Sequence, residues 1–272
     1  MDLHTVGTVI RPRSETELAW QPGHAWLAGG TWLFSQPQLG VDTLVDLETL
    51  GWPAFERDAE GLTVAATCRN AELMRYEPPT AWPATRLFRE CCTAFLASFK
   101  IWNASTVGGN VVMSLPAGPI ISLTAALDGV CTLWPREGAP RQVSVVEFVT
   151  GDNRNVLAPG ELLRSIRLPA AALQRRSAFR HVSLTKLGRS AALVIGTVGV
   201  AGDLVLTVTA ATDRPVQLRF PAMPGAGELR TAVEDMAAGR WFHDVHGTAE
   251  YKRHVALHLA EEIRAELAGA VA

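Results

Sequence analysis

Two glycine pairs carry the clearest chemical content of this sequence: Gly29-Gly30 in LAGGTWL and Gly108-Gly109 in ASTVGGNVV. Each follows an apolar, β-like segment and precedes a small polar residue, Thr31 or Asn110. Without Cβ atoms, successive backbone N–H groups can converge and cradle an anion. Fixed dipoles of this kind hold phosphate without basic side chains. Two such cradles would grip a pyrophosphate from both sides. The competing reading is that each pair is a tight turn. Neither a complete GxGxxG nor a GxxxxGK[ST] occurs, so a dinucleotide site here is neither Rossmann nor P-loop.

Other residues carry weaker signals. His254 and His258 stand four apart, a spacing that ligates metal on one helix face. With no third ligand in view, a solvated face is the stronger reading. His243 and His246 flank Asp244 in WFHDVHG and read best as loop residues. Cys91-Cys92 reads as a pair of small buried hydrophobes rather than redox thiols. Trp82 and Trp102 have the shape to stack on a ring, but core packing competes. The four cysteines include no CxxC pair and no cluster fit for an iron–sulfur centre.

These residues need elements to position them. TVIRPRSETELAW predicts a strand and then a helix entered at Ser14, because Ser14 and Glu17 have capping-box spacing. AWLAGG reads as a buried strand entering a glycine turn, and DTLVDL and GLTVAATC as further strands. NAELMRY and WPATRLFRECCTAFLASF have helical apolar spacing. PIISLTAALDG predicts a helix ending at Gly129, and VCTLWP and RQVSVVEFV predict strands. After ELLRSIRLP, the Val/Thr alternation on both sides of Gly202-Asp203 predicts a hairpin. RFPAMPGAGE reads as a connector and TAEYKRHVALHLAEEIRAELAG as a terminal helix. The pattern is mixed α and β, in a larger N-terminal and a smaller C-terminal unit.

Composition bounds the function. The chain has 272 residues, 48% hydrophobic and 19% charged, with a formal net charge of −2, which suits one large or two packed globular units. No Lys/Arg cluster builds a basic face, which sets nucleic-acid binding aside. Ile101–Leu127 is uncharged, but its asparagines, prolines and paired glycines break any continuous apolar helix. The first residues lack a secretory pattern, so a cytoplasmic location and no membrane span are expected.

LAGGTWL, NASTVGGNVVMSLPAGPIISLTAALDG and APGELLRSIRLP, in that order, resemble the FAD-binding (medium) subunit of molybdenum hydroxylases, the xanthine dehydrogenase and carbon monoxide dehydrogenase family. The resemblance covers nearly the whole chain. It implies an α+β fold: a two-lobed FAD-binding domain (PCMH-type) at 1–172, then a small α+β C-terminal flavoprotein domain at 173–272. The implied cofactor is FAD. The first glycine motif maps to Leu27, Ala28, Gly29, Gly30, Thr31, Trp32 and Leu33, and the second to Thr106, Val107, Gly108, Gly109 and Asn110. In the family both hold the pyrophosphate and ribityl chain by main-chain N–H groups, with Thr31 and Asn110 adding side-chain bonds. Leu163 matches a position near the cofactor's rings, and Lys186 a lysine near the isoalloxazine. No catalytic acid, base or nucleophile is implied.

The resemblance also implies partners: an iron–sulfur subunit supplying electrons through [2Fe–2S] centres and a molybdopterin-binding subunit that hydroxylates the substrate. The flavin then passes electrons to NAD⁺, oxygen or another acceptor. The chain departs from the family where SPAAD becomes Leu115-Pro116-Ala117-Gly118-Pro119, and where a commonly acidic position is Trp32. Losing the carboxylate at Pro119 removes an acceptor for FAD hydroxyls. Two alternatives stay open on the residues alone: a self-contained FAD oxidoreductase on the same scaffold, or a scaffold subunit without flavin.

Overall fold

The computed structural model describes residues 3–269. The chain opens on a small parallel sheet of β1 (Thr8–Ile10), β2 (His24–Leu27) and β3 (Thr43–Asp46), with β3 in the middle. Parallel neighbours need a crossover, and the β2–β3 crossover, residues 28–42, carries the first glycine pair.

The helix expected at Ser14 does not form. Glu15–Glu17 is a single 3-10 turn, and the Ser14 side chain caps no amide. SETELAWQPG has no apolar stripe to bury, and an isolated short helix is marginal in water. The same S-x-x-E pattern recurs at Ser144–Glu147, where it does cap a turn: Ser144 Oγ accepts from Glu147 N at 3.2 Å. Val145 and Phe148 are fully buried there, so packing decides which box folds. RQVSVVEFV is therefore interrupted and is not one strand.

The second unit begins with β4 (Phe55–Asp58) and β5 (Gly61–Ala65). Five helices follow: α1 (Asn70–Met74), α2 (Arg86–Ala94), α3 (Phe99–Ala104), α4 (Val107–Met113) and α5 (Pro119–Ala126). The chain returns through β6 (Val130–Trp134), β7 (Arg141–Ser144), the one-turn α6 (Val145–Phe148), a ribbon of β8 (Val149–Gly151) and β9 (Arg154–Asn155), and β10 (Leu162–Pro169). Sheet order is β4-β5-β10-β6-β7, antiparallel throughout. Leu87, Phe88, Val111 and Ile120 pack from the helices onto Leu62, Val64 and Ile166 of the sheet. Every residue of α5 is buried, which explains why that segment lacks charge altogether.

The third unit starts after α7 (Ala170–Leu173) as an antiparallel meander of β11 (Arg176–Ser183), β12 (Ser190–Val198), β13 (Leu204–Thr209) and β14 (Val216–Phe220). The expected hairpin is present, turning at Gly202 with φ 83°. Helices α8 (Ala226–Met236) and α9 (Ala249–Gly269) cover one face through Leu229, Val233, Leu259 and Ile263. The helix α8 begins inside the segment read as a connector, and its buried Leu229 and Val233 are the four-residue spacing that marks it.

Several contacts tie the third unit to the second, two of them beside the turn between α4 and α5. Ser122 Oγ of α5 and Thr209 Oγ1 of β13 lie 2.6 Å apart, both buried. The Ala210 N–H donates to Pro116 O at 2.8 Å, in the turn between α4 and α5. Ala210 has a left-handed φ of 64°. It is held there by Lys252, fully buried, whose Nζ donates to Ala210 O and ion-pairs Asp244 at 2.8 Å. A buried amine needs such partners to offset the hydration it has lost.

Among the described residues no helix is long and apolar enough to cross a membrane, and no three His, Cys, Asp or Glu residues gather as metal ligands. His258 instead faces Glu262 at 3.3 Å.

Candidate functional site

The two glycine motifs meet. Gly29 lies so close to the end of α3 that a Cβ there would sit 1.8 Å from the Ala104 carbonyl oxygen. This approach brings the 28–33 loop beside the start of α4 and closes one wall of a cleft of about 400 Å³.

The two motifs then do different work. In the first, the N–H groups of Ala28, Gly29, Gly30, Thr31, Trp32 and Leu33 donate to no acceptor among the described residues, and all six residues border the cleft. Gly30 has φ 67°, which lets the loop turn as it leaves β2. Six consecutive unpaired amides along a cavity wall form a cradle for an anion.

The second motif is not a bend after a strand, and its amides are not bare. Thr106 caps α4, its Oγ1 accepting from Gly109 N at 3.1 Å. Val107 N donates to Cys68 O, Gly108 N to Ala66 O and Asn110 N to Thr106 O, at 2.8, 2.9 and 3.0 Å. Val107 is buried, and a Cβ on Gly108 would lie 2.4 Å from that of Ala66. These two residues hold α4 against β5 and do not line the cleft. Thr106, Gly109 and Asn110 do.

Side chains complete the site. Asn110 Oδ1 and Trp26 Nε1 are both buried without a hydrogen-bond partner, and both residues line the cleft. Buried polar atoms are rarely left unpaired, so these orphans point to a ligand with polar groups to offer. A second chamber of about 350 Å³ shares Phe95, Ile101, Asn110, Leu115 and Arg189 with the first and extends to Gly118 and Pro119. A third of about 530 Å³ opens beyond Trp26. Arg189 is the sole charged side chain bordering the first two chambers among the described residues.

Two residues singled out from the sequence lie off the walls of the three chambers. Leu163 is 2% exposed and sits in the sheet opposite Leu133; the neighbouring Leu162 borders the third chamber in its place. Lys186 is exposed on the β11–β12 loop and borders none of the three chambers, whereas Arg189 on that loop does. Trp82 belongs to the core, and neither it nor Trp102 reaches the cleft. Burial pushes the Cys92 thiol up to about 12 and raises Cys91 as well, so both are inert small hydrophobes. Trp26, Phe95, Ile101 and Arg189 were missed. Trp26 stands two residues before the loop, a signal in plain view; the others meet the site only through tertiary packing.

The GELL segment is held by an ion pair. Arg141 donates from Nε and Nη2 to the two oxygens of Glu161 at 2.7 and 2.6 Å, and Ala158 N adds a third bond. The Arg141 hydrogen bond keeps the Glu161 carboxyl below its usual range. A folded-state pKa below the unfolded one, about 4.3, contributes stability above that pH and loses it as pH falls through the folded value. Glu161→Gln should therefore cost about 1–3 kcal/mol at neutral pH. Urea unfolding should show the gap to the parent protein closing below about pH 4; a constant gap would contradict this.

Fold and cleft together define a mixed α and β protein whose glycine-lined cleft lies between the opening sheet's loop and α4, with a helix-covered meander at its C-terminal end. Residues 9–171, more than half of the chain, match the family described as the FAD binding domain in molybdopterin dehydrogenase. The chain belongs to that family, and its cofactor is FAD. Among solved structures, a chain of quinoline 2-oxidoreductase from Pseudomonas putida 86 is 20% identical, with 99% of each chain covered and a TM-score of 0.81. A chain of the Cu,Mo-CO dehydrogenase is 21% identical, covering 96% of this chain and 99% of its own, with a TM-score of 0.79. A CO dehydrogenase chain from Oligotropha carboxidovorans is 20% identical over 97% and 99%, with a TM-score of 0.77. At these identities the likeness is one of fold. The curated proteins include no significant match.

Proposed function

We propose that this chain is the FAD-carrying electron-transfer subunit of a molybdenum hydroxylase complex. Residues 1–172 form its FAD domain and 173–272 its C-terminal flavoprotein domain. The observation that carries the reading is the run of six unpaired amides, Ala28 to Leu33, facing a cleft into which Asn110 Oδ1 is orphaned. The diphosphate of FAD is held by the N–H groups of the Leu27–Leu33 loop, with Thr31 and Asn110 adding side-chain bonds. Thr106 and Gly109 form the facing wall. Val107, Gly108 and Leu163 support that wall from behind.

FAD when bound supplies a carrier that takes up and releases one or two electrons. The protein's part is to place it and shape its field. Arg189 puts a positive charge at the chamber shared by Phe95 and Leu115, which favours electron-rich groups there; Lys186 lies farther along the same exposed loop. Among the described residues no carboxylate, histidine, cysteine or lysine borders the first two chambers, which speaks against a self-contained oxidoreductase. The four cysteines form no ligand cluster among the described residues, and in this reading electrons come from the [2Fe–2S] centres of a separate iron–sulfur subunit, with substrate hydroxylated on a molybdopterin-binding subunit. NAD⁺ or oxygen is the acceptor.

The reading is tested by adding FAD to the purified chain and recording its visible spectrum. About one flavin per chain is expected, and co-purification from native cells should bring down iron- and molybdenum-containing partners. A chain that stays colourless with excess FAD would refute it.

A further inference from the structure

We propose that Arg164 is a positioning residue that fixes the opening sheet against the second unit, and so holds the 28–33 amides opposite α4. Its effect on the cofactor rests on the FAD reading above; Arg164 itself borders none of the three chambers.

Arg164 stands between buried neighbours, Leu163 and Ser165, in β10, and regular pairing breaks down around it. The register between β10 and β6 shifts between Leu163 and Ser165, which makes Arg164 the bulged residue. A bulge re-aims a side chain. Here the guanidinium carbon lies 4.2 Å from the centre of the Trp52 ring and 5.5 Å from that of Trp134. The two rings meet edge to face, with centres 5.6 Å apart. Glu15 closes the cluster: its Oε1 accepts from Trp52 Nε1 at 3.3 Å and lies 3.9 Å from Arg164 Nε.

These partners come from different parts of the chain. Glu15 belongs to the β1–β2 connection of the opening sheet, Trp52 to the link after the 3-10 turn Leu47–Leu50, and Trp134 and Arg164 to the second unit. The main chain of Arg164 carries the hold inward. Its carbonyl accepts from Ala66 N at 3.0 Å, and Ala66 O accepts from Gly108 N at 2.9 Å. One residue thus grips the opening sheet with its side chain and the base of α4 through its backbone.

A second arginine has the same layout. Arg69 reaches Glu48 at 3.2 Å while its backbone pairs with Thr106. That ion pair is exposed, at 47% and 38%, and solvent screens it. The Arg164 side chain is 15% exposed, and a guanidinium stacked on indole away from water is held more firmly. Of the two, Arg164 is therefore the stronger attachment. Lysine in its place would keep the charge and lose the planar stack.

The test uses the full-length, flavin-free chain with nitroxide labels on Val9→Cys in β1 and Arg89→Cys in α2, both exposed positions. The four native cysteines are buried, which directs the label to those two sites. Pulsed electron spin resonance of the parent should give one narrow distance distribution. Arg164→Lys, and Trp52→Leu without touching β10, should each widen it, and FAD affinity should fall about tenfold in both. An unchanged width in either variant, widening without loss of FAD affinity, or loss of affinity without widening would overturn the proposal. A parent chain that binds no FAD would instead sink the reading beneath it, and the distances would still decide whether Arg164 fixes the sheet.

Discussion

Replacing Gly109 with valine is expected to empty the cleft of FAD while leaving the protein folded. Gly109 is the glycine of the second motif that borders the cavity. A Cβ there would meet only Thr106 Oγ1, at 3.0 Å. That hydroxyl sits on a side chain that can turn aside, at the expense of a cap worth about 1 kcal/mol. The valine methyls, however, would take up room at the border of the cleft, where the proposed diphosphate site lies. FAD affinity should drop at least about a hundredfold, or roughly 2.7 kcal/mol, in a fluorescence titration. Near-parental thermal unfolding of the flavin-free chain is the accompanying control. Full flavin occupancy in this variant would show that the cleft is not the cofactor site.

The adjacent glycine should behave in the opposite way. Gly108→Ala adds one methyl, yet its Cβ would fall 2.4 Å from Ala66 Cβ and 2.7 Å from Ala66 O. The neighbour is mostly backbone, already fixed by Gly108 N donating to Ala66 O, so nothing nearby can yield cheaply. Overpacking of this kind costs about 3 kcal/mol, roughly a 10 °C fall in unfolding temperature for a chain of this size. The loss should appear without any flavin present. An unchanged melting temperature would mean that α4 does not rest on β5 as described. Side by side, the two variants separate a glycine kept for the ligand from a glycine kept for packing.

Much of this was legible in the sequence, though not the division of labour. Helices α2 and α9 follow from apolar periodicity because each buries one consistent face, and strand β5 reads as a short apolar run buried on both faces. Three of the four paired glycines, Gly29, Gly30 and Gly109, border one cleft. The second pair was misread as a bend because Val107, Val111 and Val112 look like strand residues. Burial of Val107 and Val111 and the Thr106 cap make the segment a helix, and only tertiary partners reveal that. The two S-x-x-E patterns teach the same lesson: Ser144 folds its turn because Val145 and Phe148 have a core to enter, and Ser14 has none. Arg189 was beyond reach, since it joins the cleft only by the packing of a loop from the third unit.

The hydrogen bonds that consume every amide of Val107 to Asn110 have one more consequence. They run to partners within the chain itself, so this side of the cleft takes its shape from the protein's own hydrogen bonds. The buried Lys252, through Ala210 and Pro116, braces the turn that follows. The form of that wall therefore depends on the chain's own bonds, and a substitution that breaks one of them would disturb cleft and fold together.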